Sequence, residues 1–126
     1  MRKTLDTPYV YLELEDDLLT GYYKKDKKID LEAAKQIVRD RIAFTGNNPV
    51  LALAVNLGVR RMTKEARDYL ASKEGVEKLI AGAIIVGSPV GSFIGNWYLS
   101  ISKPLIPSRA FTKKEAALKW LLQFRK

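Results

Sequence analysis

LIAGAIIVGSPVGSFIGNWYLSIS, residues 79–102, carries no charged side chain between Lys78 and Lys103, in a chain otherwise rich in charge. The stretch divides at Gly87-Ser88-Pro89. Before the break, Ile80, Ala81, Ala83, Ile84, Ile85 and Val86 form a short, nearly continuous apolar run, the pattern of a strand buried on both faces. After it, Val90, Phe93, Ile94, Trp97, Tyr98 and Ile101 recur at i, i+3, i+4, i+7, i+8 and i+11, the stripe of an amphipathic helix. Pro89 at a first helical position behind Ser88 as N-cap marks where that helix starts. The rest of the chain must pack around this strand-turn-helix unit.

Two other readings compete for the same residues. The stretch is about long enough to cross a bilayer, and Gly91 and Gly95 supply a GxxxG spacing. Against a spanning helix, Ser88, Ser92, Asn96, Ser100 and Ser102 would all enter hydrocarbon. The small polar face of Gly91, Ser92, Gly95 and Asn96 can serve either as a binding surface or as a place where another element packs closely, and the sequence leaves that choice open.

The length of 126 residues fits one domain, 1–126, with a single core. The hydrophobic fraction of 47% suits a folded chain. Cysteine and histidine are both absent. Disulfides, Cys/His metal sites, Ser-His-Asp and Cys-His nucleophile systems and imidazole acid/base chemistry are thereby excluded, and no cofactor is expected. The opening residues lead into no apolar h-region, so no signal peptide is expected and the cytoplasm is the default location. A net charge of +8 raises the question of an acidic partner, whether nucleic acid, anionic lipid or an acidic protein surface.

Tyr9 to Leu14 and Leu18 to Tyr23 are β-forming runs joined through Glu15-Asp16-Asp17, a hairpin. Those three acids lack the glycine and further oxygen ligands of a calcium loop. Lys24-Lys25-Asp26-Lys27-Lys28 reads as a solvated connection or an anion contact. Asp30 is the N-cap of a helix to Phe44, with Leu31, Ala34, Val38 and Ile42 at core-facing spacing. Gly46-Asn47-Asn48-Pro49 ends it and delivers a second apolar strand, Val50 to Val55. Two such strands separated by helical sequence predict parallel neighbours with right-handed crossovers.

The loop Asn56 to Thr63 follows, and Thr63 caps a helix through Leu70. In open α/β sheets, ligands meet the loops leaving the carboxyl ends of strands, the position of both this loop and Gly87-Ser88-Pro89. Arg60, Arg61, Lys64 and Arg67 add charge there, or form a merely solvated face. Glu65 and Asp68 lie at i, i+3 on the same helix, but no nucleophile completes an enzyme site. Arg109 to Phe111 reads as a short edge strand and Thr112-Lys113-Lys114-Glu115 as a capping box. Ala116, Ala117, Trp120, Leu121 and Phe124 form the core face of a final helix.

This order of strands and helices resembles the STAS domain, the fold of bacterial anti-sigma-factor antagonists of the SpoIIAA-like group. The resemblance rests on Pro49 to Met62 leading into the Thr63 helix, on the Ile80 strand with Gly87-Ser88-Pro89, and on Arg109-Ala110-Phe111-Thr112-Lys113-Lys114-Glu115-Ala116 through Trp120-Leu121. It implies an α/β fold with a four- to five-stranded mixed sheet and about four helices. Such antagonists bind a partner kinase and are switched at a serine that starts the helix after the third strand. Here Thr63, Lys64 and Glu65 occupy that motif, so the serine is absent.

The resulting expectation is a non-enzymatic, cytoplasmic STAS-like module. It would dock a protein partner, such as an anti-sigma factor or kinase-like regulator, or a small anionic ligand on the loops after the two central strands. The expected contact residues are Leu57, Gly58, Arg60, Arg61, Thr63, Lys64, Arg67, Ser88, Ser92 and Asn96. The alternative is electrostatic binding to nucleic acid or an anionic membrane surface through Lys24 to Lys28 and Arg60 to Arg67. Nucleic acid is the less favoured, because no aromatic-basic interleaving accompanies the charge. A homodimer is compatible with this reading.

Overall fold

The computed structural model of the chain describes residues 2–88, 91, 96 and 104–125. The strands are β1 (Arg2–Asp6), β2 (Val10–Glu15), β3 (Leu18–Tyr23), β4 (Lys28–Ile29), β5 (Val50–Asn56), β6 (Arg61–Met62), β7 (Leu79–Ile85) and β8 (Ser108–Phe111). The helices are α1 (Leu31–Phe44), α2 (Lys64–Ala71) and α3 (Lys114–Leu122). A six-stranded sheet has the order β1-β2-β3-β5-β7-β8, and β4 pairs with β6 in a separate two-stranded sheet. The first three strands are antiparallel, and β3, β5, β7 and β8 are parallel. The mixed sheet and the adjacency of the Val50 and Ile80 strands are as the sequence predicts.

The main sheet has six strands rather than the expected four or five because β1 carries no signal in the sequence. All five of its residues are exposed, so no apolar alternation announces it. Three helices are seen among the described residues. The further helix expected from Val90 to Ile101 lies outside them, apart from Gly91 and Asn96, both in helical conformation. A membrane-spanning helix from Leu79 is excluded at its start, since Leu79–Ile85 is a strand. No helix among the described residues is long and apolar enough to cross a membrane.

Local chemistry explains the helix starts. The Asp30 carboxylate accepts from the Ala33 N–H at 2.9 Å, and the Thr63 hydroxyl accepts from the Ala66 N–H at 3.1 Å. Each satisfies an amide that the helix itself leaves without a partner. The final helix does not use the expected capping box: it is entered one residue later than Thr112, from Lys113, without a side-chain cap.

The sheet buries both faces. On one, Val10, Leu12, Leu19 and Val50 pack with Ile29, Ala33, Ala34, Ile37 and Ala66 from the α1 and α2 side. Of the expected α1 core positions, Ala34 and Val38 are buried, whereas Leu31 and Ile42 are half-buried and Ala33, Ile37 and Arg41 complete the inner face. On the other face, Leu51, Leu53, Ala81 and Ala83 pack with Ala117 and Leu121 of α3. Trp120 and Phe124 flank this cluster, with ring centroids 4.9 Å apart, and Phe111 closes it at 5.7 Å from Trp120. Ala116, expected on the core face of α3, is exposed. Burial of each large side chain contributes roughly 1.5–3 kcal/mol. Ile84 departs from the expected two-sided burial of its strand: it is 38% exposed, because it alternates with Ala83 onto the face that α3 does not cover.

Arg41 is the charged exception in the core, 7% exposed. Its Nη1 donates to the Glu77 carbonyl at 2.8 Å and its Nη2 to the Gly75 carbonyl at 3.1 Å. Burial pulls its pKa down from the ordinary guanidinium value. The connection it grips lies so close to α2 that a Cβ on Gly75 would come within 2.1 Å of the Tyr69 carbonyl oxygen. Only glycine fits there.

Candidate functional site

The parallel strands β3 and β5 end side by side at Tyr23 and Asn56. The pairing continues beyond the sheet, since the Leu57 N–H donates to the Tyr23 carbonyl at 2.9 Å. The Asn56 side-chain oxygen then accepts from the N–H groups of Gly58 and Val59, both at 2.8 Å, a side-chain-closed turn of the kind asparagine favours. Gly58 takes a φ of +122° in that turn, outside the range of ordinary L side chains. Its carbonyl accepts from Asp26 N–H at 2.9 Å, and the Arg60 N–H donates to the Lys27 carbonyl at 2.9 Å.

The two basic segments that the sequence keeps apart are therefore one structure. It ends in the parallel pair β4–β6, with Lys28 opposite Arg61 and Ile29 opposite Met62. Ile29 is fully buried and Met62 packs on the same core cluster. Strand alternation then turns Lys28 and Arg61 outward on the same face. Opposed like charges cost stability, and among the described residues no ion pair engages Lys25, Lys27, Lys28, Arg60 or Arg61. All five are exposed. One residue beyond this pair stand the two N-caps, Asp30 and Thr63, so α1 and α2 begin in register and direct their positive dipole ends at the ridge. The Asp26 and Asp30 carboxylates offset part of the charge.

A family model described as a domain of unknown function, DUF7793, matches residues 12–125. The chain belongs to that family. No curated protein matches this DUF7793 chain. Among solved structures, an uncharacterised protein of the DUF3478 family from Shewanella loihica PV-4, with a SpoIIAA-like fold, is similar at 17% identity and a TM-score of 0.61, over 96% of this chain and 95% of that one. The DUF7793 chain accordingly has a SpoIIAA-like α/β fold.

Of the residues singled out by sequence, Leu57, Gly58, Arg60, Arg61 and Thr63 lie in or beside the ridge. Leu57 is 53% exposed next to it. Lys64 and Arg67 are held by local bonds: Lys64 pairs with Asp68 at 2.9 Å, and Arg67 reaches back to β6, donating to the Met62 carbonyl at 3.2 Å. Asp68, half of the acid pair considered with Glu65, is held in that ion pair. Lys24 is not part of the ridge either, since it pairs with Asp6 and donates to the Thr7 carbonyl.

The Ser88 hydroxyl accepts from Gly91 N–H at 3.0 Å, the bond expected of an N-cap, and Ser92 lies outside the described residues. The Thr63 N–H donates to the Ile29 carbonyl at 3.0 Å, drawing its segment to the β3 side of β5, whereas Ser88 follows β7 on the other side. Asn96 holds an edge. Its amide nitrogen donates to the Ala110 carbonyl at 3.0 Å and its oxygen accepts from the Ala110 N–H at 2.8 Å. Lys25, Lys27 and Lys28 were absent from the favoured contact residues and entered the sequence reading only through the electrostatic alternative. A recurring triplet of basic, apolar and capping residue, Lys28-Ile29-Asp30 and Arg61-Met62-Thr63, was the signal that could have joined them.

Proposed function

We propose that this DUF7793 chain is a non-enzymatic regulatory module, one folded unit working in the cytoplasm, that docks an acidic segment of a protein partner on the ridge of Lys25, Lys27, Lys28, Arg60 and Arg61. The observation that carries this reading is the β4–β6 register, which holds Lys28 beside Arg61 with no carboxylate across from either. A fold that sustains like-charge repulsion at its surface is relieved when an anionic group bridges the two side chains. The SpoIIAA-like fold supports a binding role for the loops at this end of the sheet, and the exposed Leu57 offers an apolar contact beside the charge.

The test is capture from a lysate of the native organism by the parent chain and by Arg60→Glu/Arg61→Glu. The variant keeps its melting temperature, as exposed substitutions do within about 0.5 kcal/mol, and loses the partner. A variant that retains every partner places the surface elsewhere. Titrations with duplex DNA and with anionic vesicles complete the experiment. Tight binding to either that falls steeply with salt, through counterion release, would replace the protein partner with that polyanion.

A further inference from the structure

The two edges of the six-stranded sheet are finished differently. At β8, strand pairing with β7 uses the Pro107 and Phe111 carbonyls, which leaves Ala110 facing outward, and there the Asn96 amide takes both its N–H and its C=O. At β1 no comparable device is present among the described residues. The ladder alternates in a way that can be read from its ends. The Thr7 N–H donates to the Val10 carbonyl at 3.0 Å and the Lys24 N–H to the Tyr9 carbonyl at 3.0 Å. With the β1–β2 register, Lys3 and Leu5 then direct their backbone groups to β2, and Arg2, Thr4 and Asp6 direct theirs outward. Exposed edges template further strands unless charge or shape forbids it.

The side chains on this edge select a partner strand. Antiparallel self-pairing about a two-fold axis through Thr4 sets Arg2 opposite Asp6 of the partner subunit and Asp6 opposite the partner's Arg2. Lys3 then faces the partner's Leu5, so no like charges meet. Centring on Lys3 instead would oppose two lysines, and that costs stability. The same Thr4-centred register brings the outward backbone groups into hydrogen-bonded pairs. Within one chain Arg2 already sits 3.3 Å from Glu13 and 3.7 Å from Glu15, and Asp6 pairs with Lys24. The self-paired edge would therefore join an excess of acid at one end to the partner's Lys24 at the other.

We propose that β1 is a homodimerisation edge, pairing antiparallel with its own copy about Thr4 to make one continuous sheet. The strip is short, so the dimer is reversible and its population rises with concentration. This inference is independent of the ridge reading.

Sedimentation equilibrium over a concentration series tests it, with circular dichroism and thermal melts as controls for folding. The parent's average mass rises toward twice the monomer. Thr4→Pro removes an outward N–H that β2 does not use and leaves a folded monomer. Arg2→Asp sets acid against the partner's Asp6 and weakens the dimer at least about tenfold, equivalent to about 1.4 kcal/mol, and Arg2→Asp/Asp6→Arg restores it. The double variant keeps the test decisive should Thr4→Pro perturb β1. A parent that sediments as a monomer throughout, or a dimer indifferent to both the single and the double charge change, overturns the proposal.

Discussion

Replacing Arg41 with alanine perturbs one side chain and two carbonyls. The guanidinium is the donor to Gly75 and Glu77 in the connection between α2 and β7. The Gly75 end is buried and the Glu77 residue is exposed, so their losses differ. A buried acceptor left without its donor costs about 1–3 kcal/mol, whereas one that water can reach costs less than that range. The sum, with the lost packing of the arginine stem, is about 2–4 kcal/mol. For a chain of this size that corresponds to a fall in melting temperature of very roughly 10 °C. Arg41→Lys keeps a charge and a single point donor but lacks the planar fork, so it should fall between parent and alanine variant. Thermal and urea melts of the three proteins measure this series. If Arg41→Ala melts with the parent, the arginine is not what holds residues 75–77, and the account of this part of the core is wrong.

Two further outcomes follow from burial and charge. Leu53→Asp, at a position 1% exposed, should unfold the chain by placing a carboxylate in the α3-side core, whereas Ile84→Asp, at a position 38% exposed, should leave a cooperative urea transition; equal losses would refute the assignment of faces. Arg125 bonds the Asp17 carboxylate through Nε at 3.0 and 3.1 Å and holds its pKa below the ordinary 3.8. The folded-state pKa is thus depressed, so the pair's contribution is present above that value and is lost as pH falls through the folded pKa. Arg125→Ala should flatten the stability-versus-pH curve below pH 3.8, and an unchanged acid limb would show that the pair does not matter.

The parts of the fold legible in sequence were those with a period or a cap. Val50 to Val55 and Ile80 to Val86 announced the central strands through apolar runs, and Asp30 and Thr63 marked helix starts through hydroxyl or carboxyl chemistry. What stayed hidden lacked both signals. β1 has no buried face, β4 and β6 are only two residues long, and Arg41 is a polar residue whose burial depends on carbonyls 34 and 36 positions away. The ridge was half legible for the same reason: its charges are plain in sequence, but the pairing that unites them is non-local.

The clamp of Asn96 on Ala110 bears on how this protein ages and varies. Among the described residues, that edge is closed at Ala110 by a side chain rather than by another strand, so one amide guards both backbone groups of that residue. A single base change at that codon, leaving the hydrophobic core untouched, would release the Ala110 backbone from that clamp and weaken the protection of the β8 edge. Aggregation in such a variant would then begin from the native state rather than from unfolding, and adding ligands that merely stabilise the fold would not prevent it.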